Sequence, residues 1–596
     1  MNLPSPTHLL ALLATYFAFA HAAYPAEKPS PACNRVRFQS TSPGKEQGLL
    51  GGIFQGSNTS RWEGFETLAE IKEVPALKEW GEIKFDNKKV YRWVRFVQPN
   101  ADAKTTAKVE FYAGDVLLAG EEKGTKVNFF KDDLDDNSII GYDLFSIAAA
   151  QRPSFFPAGA DLNGPTEVTI KSNPGATIRY TLDGTWPTAE RGETYTKPVR
   201  IEKNTTISAM AILPGQAPSL LNTTTYLLPE TRKPGLKTAG IGNSLTGTTM
   251  GFWRYARTAG HDQKTALFLR PGALTREQWA LATGDYAKDK LANSKEELAR
   301  KRGSQTWDEY WKGIDQVDVL TLQPRDFDLD KEIEAEINFI KLFQQKSPNV
   351  QPWLYCEWVE QKRQRPSDKG EVPSYQMKKT FPALTWEESM SAMLLYVEEL
   401  QHRLTAQYKV GQRPRVLPSA LAMGWIKNHI DSGNFPGGKP GMFYPLLFND
   451  QVHPAAAPSN GSSNGGHLVD LTWYAAFYKE APEGKVLPIE TSYTPEQAKF
   501  MEKLAWDVIK NYPDCGLYEE GKKPCGKPEF TNDGKQITLK SSTPGAWFRY
   551  TLDGTEPTRT RGYVYCGVIS VQPGIQVKAV AYKSGMADSA ANEMAP

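Results

Sequence analysis

One stretch of about twenty residues occurs twice. Val168-Thr-Ile-Lys-Ser-Asn-Pro-Gly-Ala-Thr-Ile-Arg-Tyr-Thr-Leu-Asp-Gly-Thr-Trp-Pro-Thr188 returns as Ile537-Thr-Leu-Lys-Ser-Ser-Thr-Pro-Gly-Ala-Trp-Phe-Arg-Tyr-Thr-Leu-Asp-Gly-Thr-Glu-Pro-Thr558. Self-similarity of this length means two copies of one supersecondary unit. Each copy alternates apolar and polar residues into Arg-Tyr-Thr, the period of a strand with one buried face. Each then meets Asp-Gly, a pair suited to a tight turn. Thr206–Ile212 and Val577–Tyr582 supply later strands. Two like small β-sandwiches are therefore expected, at about 160–230 and 526–596. Neither copy holds a cluster of reactive side chains, so both are expected to act as spacers.

The stretch between the copies, about 231–512, follows another rule. Short apolar runs at Lys237–Gly242, Lys264–Leu269, Val317–Leu322, Gln351–Cys356 and Arg415–Leu417 read as strands. Asp330–Phe343, Trp386–Tyr408, His467–Tyr478 and Pro495–Tyr512 read as helices. That alternation predicts an α/β unit with a mostly parallel sheet, whose sites sit at the strands' C-terminal ends. Ahead of the first copy, about 33–150 reads all-β. Gly81–Pro99 alternates, Val109–Tyr112 is a further strand, Gly51–Asn58 is turn-rich, and Asp132–Asp143 reads as a degenerate continuation.

With 596 residues the chain is too long for one core, and its formal net charge of +2 gives no electrostatic case for nucleic acid. Leu9–Ala20 is apolar but too short to span a bilayer, and Ala20-His21-Ala22 offers a small-x-small cleavage site. Residues 1–22 are therefore expected to be a secretory signal peptide, with the remainder exported. No later stretch is long and apolar enough to cross a membrane. Cys33, Cys356, Cys515, Cys525 and Cys566 have no metal-ligand spacing. Cys515 and Cys525 flank a Gly/Lys-rich stretch and could pair in an oxidising compartment. Asn58, Asn204 and Asn222 begin glycosylation sequons, acceptors only under eukaryotic secretory handling. Neither a metal nor a cofactor is expected.

The chemistry is expected at Ser244. Gly240-Ile-Gly-Asn-Ser244-Leu follows the first strand, and a helix pattern with Phe252, Trp253, Tyr255 and Ala256 comes next. Such a serine lies near a helix N-terminus, where unpaired N–H groups can hold an anion. That suits a nucleophile whose oxyanion must be stabilised, although an ordinary N-cap serine has the same sequence. The base must come from His261, His402, His429, His453 or His467. His402 falls on the solvated face of a long helix, His261 follows a helix end at Gly260 as a cationic cap, and His429 lies near another helix end. His453 lies in a late loop three residues after Asp450, so the aspartate could orient one ring nitrogen while the other faces the serine. His467 is the alternative base.

The serine block after the first strand, together with Asp-x-x-His ahead of the last helices, resembles the SGNH/GDSL hydrolase family. The resemblance covers about 231–512. It implies an α/β/α, flavodoxin-like catalytic domain with Ser244 as nucleophile, His453 as base and Asp450 as its acid. It further implies an oxyanion hole made by the Ser244 and Gly272 N–H groups and the Gln323 amide. Three blocks depart from the family. Asn243 stands where aspartate is usual. Gly272, in Leu269-Arg-Pro-Gly-Ala-Leu274, is the best match to the second block. Gln323 occupies about the place of an asparagine. Glu357 and Trp358, ending a later strand, join Asn243 as pocket candidates. The repeats resemble the C-terminal β-sandwich of chitobiases and hexosaminidases. Gly51–Asn58, Tyr91-Arg-Trp-Val-Arg-Phe96 and Val109–Tyr112 resemble discoidin-type, galactose-binding-like sandwiches. Together these resemblances imply a secreted serine esterase that deacylates, for example deacetylates, a polysaccharide or glycan. A general or lipolytic esterase and an inactive sugar-binding or adhesion protein are the competing readings. Oligomeric state stays open.

Overall fold

The computed structural model describes residues 32–58, 64–99, 107–120, 128–131, 139–144, 150–159, 161–214, 216, 218–247, 251–270, 272–283, 307–325, 328–360, 374–406, 411–448, 467–486 and 493–594. The signal-peptide reading of 1–22, and Asp450 and His453, lie outside these residues.

Between the copies lies a five-stranded parallel sheet. Its strands are β1 (Lys233–Gly242), β2 (His261–Leu269), β3 (Val319–Leu322), β4 (Gln351–Tyr355) and β5 (Arg415–Leu417), in the order β2-β1-β3-β4-β5. All four strand pairings are parallel. β3 is buried at every residue, as expected of a strand covered on both faces. The chain leaves β1 for β2 on one side and returns to β3 on the other. The strand order therefore reverses between β1 and β3, the place where open α/β sheets bind ligands, at the strands' C-terminal ends.

Ten helices are described in this unit. They are α1 (Ser244–Gly247), α2 (Phe252–Thr258), α3 (Thr275–Thr283), α4 (Trp307–Gly313), α5 (Leu329–Gln344), α6 (Trp386–Ala406), α7 (Ser419–Asp431), α8 (Phe443–Leu447), α9 (His467–Tyr478) and α10 (Pro495–Asn511). Local chemistry fixes several ends. Thr494 and Gln497 form a capping box ahead of α10, with Pro495 at its first position. Asp328 caps α5 by accepting from Lys331 N–H. Helix α9 is buried from His467 to Phe477, which its nearly unbroken apolar sequence allows.

The two copies match strand for strand. In the first, strands 154–156, 166–171 and 199–201 form one sheet, and 193–194, 177–181, 205–212 and 222–226 the other. In the second, 529–532, 536–540 and 569–570 face 563–564, 547–551, 578–582 and 592–593 in the same order. Tyr180 lies opposite Glu193 and Ala209, and Tyr550 opposite Tyr563 and Ala579. The turn chemistry recurs as well: Asp183 and Asp553 each accept from the N–H two residues on, at 3.0 Å.

Their surroundings differ. Trp547, Arg549, Thr551, Tyr563, Val564 and Cys566 are buried, whereas their counterparts Thr177, Arg179, Thr181, Glu193, Thr194 and Thr196 are half-buried or exposed. The second copy docks on α6 and α7. Arg549 donates to both oxygens of Glu398, at 2.6 and 2.9 Å, with both side chains almost fully buried. Ser391 Oγ donates to Val564 O, Ser570 N–H to Glu388 Oε1 and Gly562 N–H to Gln376 Oε1. One apolar core runs from the parallel sheet into this copy. The first copy keeps a core of its own and meets the α/β unit at Asp161, which pairs with Arg257, Lys264 and Arg232.

The N-terminal segment also has a separate core, between a sheet of 81–84, 35–40, 107–113 and 116–119 and one of 66–70, 53–57, 93–97, 139–143 and 128–131. Two expectations change here. The turn-rich run contains the strand Ile53–Ser57, and Gly81–Pro99 splits into strands belonging to different sheets. The cysteine expectation also fails. All five thiols are free and buried, with Cys515 Sγ against Val416 O and Cys525 Sγ against Met586 Sδ. The sequon asparagines are structural. Asn58 Nδ2 donates to Val90 O, Asn204 Nδ2 to Thr231 O and Asn222 Nδ2 to Pro153 O, at 2.7–2.9 Å.

Candidate active site

Ser244 is the first residue of α1 and is half-buried at the end of β1. The turn that presents it is clamped by one side chain. Gln323 directly follows β3 and is buried. Its Oε1 accepts from Asn243 N–H at 2.9 Å and from Thr246 Oγ at 2.5 Å. Its Nε2 donates to Asn243 Oδ1 at 3.0 Å and to Glu357 Oε2. Asn243 Oδ1 also accepts from Leu245 N–H, at 2.8 Å. The backbone N–H groups of Asn243 and Leu245 can only donate, so both amide orientations are fixed. Glycine is required at 242, because a Cβ there would lie 1.8 Å from Thr246 Oγ and 2.6 Å from Gln323 Oε1.

Both Gln323 amide hydrogens are therefore spent on Asn243 and Glu357. This corrects the assignment of Gln323 as an oxyanion donor: the extra methylene carries its amide back across β1, where it holds the turn. Its backbone oxygen accepts from Thr275 Oγ at 3.1 Å, which fixes it at the other end. The donor left over is Asn243 Nδ2, buried and without a hydrogen-bond partner among the described residues.

The other expected residues divide between turn and packing. Gly272 sits in an exposed turn at φ 72°, a left-handed conformation that favours glycine. Arg270 N–H donates to Gly242 O at 3.0 Å, tying that turn to the end of β1. Glu357 is buried, with Arg325 Nε 3.8 Å from its Oε1, and Arg325 N–H donates to Glu332 Oε2. Trp358 is 1 % exposed and meets Phe448 edge-on, with ring centroids 6.4 Å apart. Asn243, Glu357 and Trp358 are thus all buried. Phe448 is the last described residue before the segment carrying Asp450 and His453.

The remaining histidines serve packing. His467 is buried, its Nδ1 hydrogen-bonded to the Tyr255 hydroxyl and its ring against Tyr493. Burial lowers its pKa to about 3. None of its described partners belongs to the serine turn. His261 is no cap: it begins β2, buried, with Nδ1 2.9 Å from Pro234 O and its ring 4.1 Å from Tyr478. His402 stacks on Tyr375 at 3.8 Å, and His429 packs on Phe500, where burial lowers its pKa. Sequence reasoning missed the clamp through Thr246 and Glu357. A charged residue directly after the buried run Pro352–Cys356 was the available signal. Among the described residues no group of three or more His, Cys, Asp or Glu could hold a metal ion, and no helix is long and apolar enough to cross a membrane.

Comparison with known proteins gives two domain matches. Residues 168–226 match the Fn3 associated family, so the first copy matches a family other than the one expected. Residues 527–593 match the chitobiase/β-hexosaminidase C-terminal domain. No curated protein matches the chain significantly. Among solved structures, CBM62 from Clostridium thermocellum Xyl5A is 27 % identical, covering 15 % of this chain and 63 % of that one, with a TM-score of 0.14. A carbohydrate esterase family 2 enzyme with a carbohydrate-binding domain, from Corynascus thermopiles (Myceliophthora fergusii), is 12 % identical over 49 % and 82 % of the two chains, with a TM-score of 0.20. The salicylyl-acyltransferase SsfX3 of a tetracycline biosynthetic pathway is 14 % identical over 45 % and 66 %, with a TM-score of 0.18. The chain thus spans less than two thirds of the first and third of these.

Proposed function

We propose that the chain is an exported serine ester hydrolase of SGNH type that removes acyl groups, acetyl first among them, from a carbohydrate. One observation carries the reading: Ser244 stands on a clamped strand-to-helix turn at the C-terminal edge of β1, next to the point where the strand order reverses. In this reading His453 takes the Ser244 proton as the hydroxyl attacks the ester carbonyl, and Asp450 orients the imidazole. The Ser244 and Gly272 N–H groups hold the tetrahedral oxyanion. His453 then protonates the leaving alcohol, and water releases the acid from the acyl-enzyme. Gln323 does no chemistry; it holds the turn. No cofactor enters. The match of the second copy to a domain named for chitobiases and β-hexosaminidases supports a glycan substrate.

The test is acetate release from a panel of acetylated polysaccharides, with Ser244→Ala as control. Release by the wild type that the variant lacks is the expected result. Release by neither protein, with both folded, refutes the reading, and hydrolysis of lipid esters alone refutes its substrate class.

A further inference from the structure

The serine turn contains one carboxylate where two positions could carry it. Gln323 Nε2 lies between Asn243 Oδ1, at 3.0 Å, and Glu357 Oε2. Asn243 is fully buried and Glu357 nearly so. Arg325 Nε, 3.8 Å from Glu357 Oε1, partly compensates the single charge. We infer that Glu357 is a positioning residue for the nucleophile, acting through Gln323, and that the turn accepts an acid at 357 or at 243 but not at both. The inference rests on the proposed hydrolase site.

The Glu357 carboxylate accepts one Gln323 amide hydrogen, which turns Gln323 Oε1 toward Asn243 N–H and the Thr246 hydroxyl. Those two groups flank Ser244. Removing the acceptor leaves a buried amide hydrogen unsatisfied and frees the Gln323 side chain to rotate away. An aspartate at 243 would keep the acceptor that Leu245 N–H and Gln323 use. It would also place a second oxygen where Asn243 Nδ2 now lies buried, with no partner among the described residues. Two carboxylates would then share one amide group, and like charges so close do not both stay ionised in a buried site. One takes up a proton or moves away, and the turn moves with it. Because the acids compete for the same amide, neutralising Glu357 relieves the aspartate.

Four variants test this: Asn243→Asp, Glu357→Gln, the Asn243→Asp/Glu357→Gln pair, and Glu357→Leu. Ester hydrolysis is measured as kcat and KM, and amide hydrogen exchange is followed over residues 238–247. Asn243→Asp and Glu357→Leu should each lower kcat by about 100-fold with KM changed little, the usual scale for a misplaced reacting group. Glu357→Gln keeps an acceptor oxygen and should lose less than about tenfold. The double variant should recover most of the Asn243→Asp loss, a coupling that two independent structural defects would not show. Exchange at Asn243 and Leu245 should quicken in Asn243→Asp and slow again in the double variant. A double variant no better than Asn243→Asp, or a fully active Glu357→Leu, overturns the inference. If the wild type hydrolyses no ester, the hydrolase reading fails, and unchanged exchange in Asn243→Asp separately overturns the carboxylate rule.

Discussion

Arg549→Met removes the cation that joins the second copy to α6. The guanidinium makes two bonds to Glu398 and a third to Gly562 O at 2.9 Å, and the two side chains are 1 % and 3 % exposed. Stripping one partner from a buried ion pair costs about 3–5 kcal/mol, because the other charge stays behind. Glu398 retains two further donors, Tyr512 OH and Gln376 Nε2, which places the expected loss near the lower end, about 3 kcal/mol. For a folding unit of roughly 360 residues that is a fall of about 4 °C in Tm. The repeat supplies its own control. Arg179 fills the same strand position in the first copy but donates to Thr194 Oγ and Glu190 O near the surface and forms no ion pair among the described residues. Arg179→Met should therefore cost less than about 1 kcal/mol. Differential scanning calorimetry of both variants measures the difference. The reasoning fails if the two lose equal stability. It also fails if Arg549→Met releases the C-terminal copy in a separate transition while the α/β transition stays put.

Three further outcomes are expected. Ser244→Ala and His453→Ala should abolish ester hydrolysis in folded protein, and Asp450→Asn should lower turnover by roughly 10³–10⁴-fold; full activity in His453→Ala would move the base elsewhere. Burial raises the Glu502 pKa to about 7 from the ordinary 4.5, so the folded chain binds its proton more tightly than the unfolded chain. That contribution to stability is complete below pH 4.5 and is lost as pH rises to about 7, and Glu502→Gln should flatten this part of the stability–pH curve. Asn204→Ala and Asn222→Ala should each cost about 1 kcal/mol of stability, read by thermal denaturation, because their amide nitrogens donate to Thr231 O and Pro153 O.

The sheet of the α/β unit was legible because its strands are short apolar runs ended by turn residues. β5 has the expected limits and β3 and β4 differ from them by two residues at most. β1 begins earlier than expected, at Lys233, since pairing of Lys233 and Pro234 with His261 and Asp262 extends it through a polar stretch with a bulge. The docking of the second copy was written in the differences between the repeats. Thr177, Glu193, Thr194 and Thr196 become Trp547, Tyr563, Val564 and Cys566, and each change makes a solvated position apolar. Histidine burial was not legible. His261 is enclosed by Tyr478 and Glu480, more than two hundred residues away, and nothing local announces them. Gln323 was placed correctly at the end of β3, but its role depends on reach: one methylene turns an oxyanion donor into a clamp.

The central claim is that Ser244 is a nucleophile, and a mechanism-based adduct tests it most directly. The full-length protein is treated with a fluorophosphonate, digested, and mapped by mass spectrometry. The account predicts a single phosphonyl adduct on Ser244, lost in His453→Ala and in protein unfolded before treatment. An unmodified Ser244 in folded wild type, or an adduct on another serine, would contradict it.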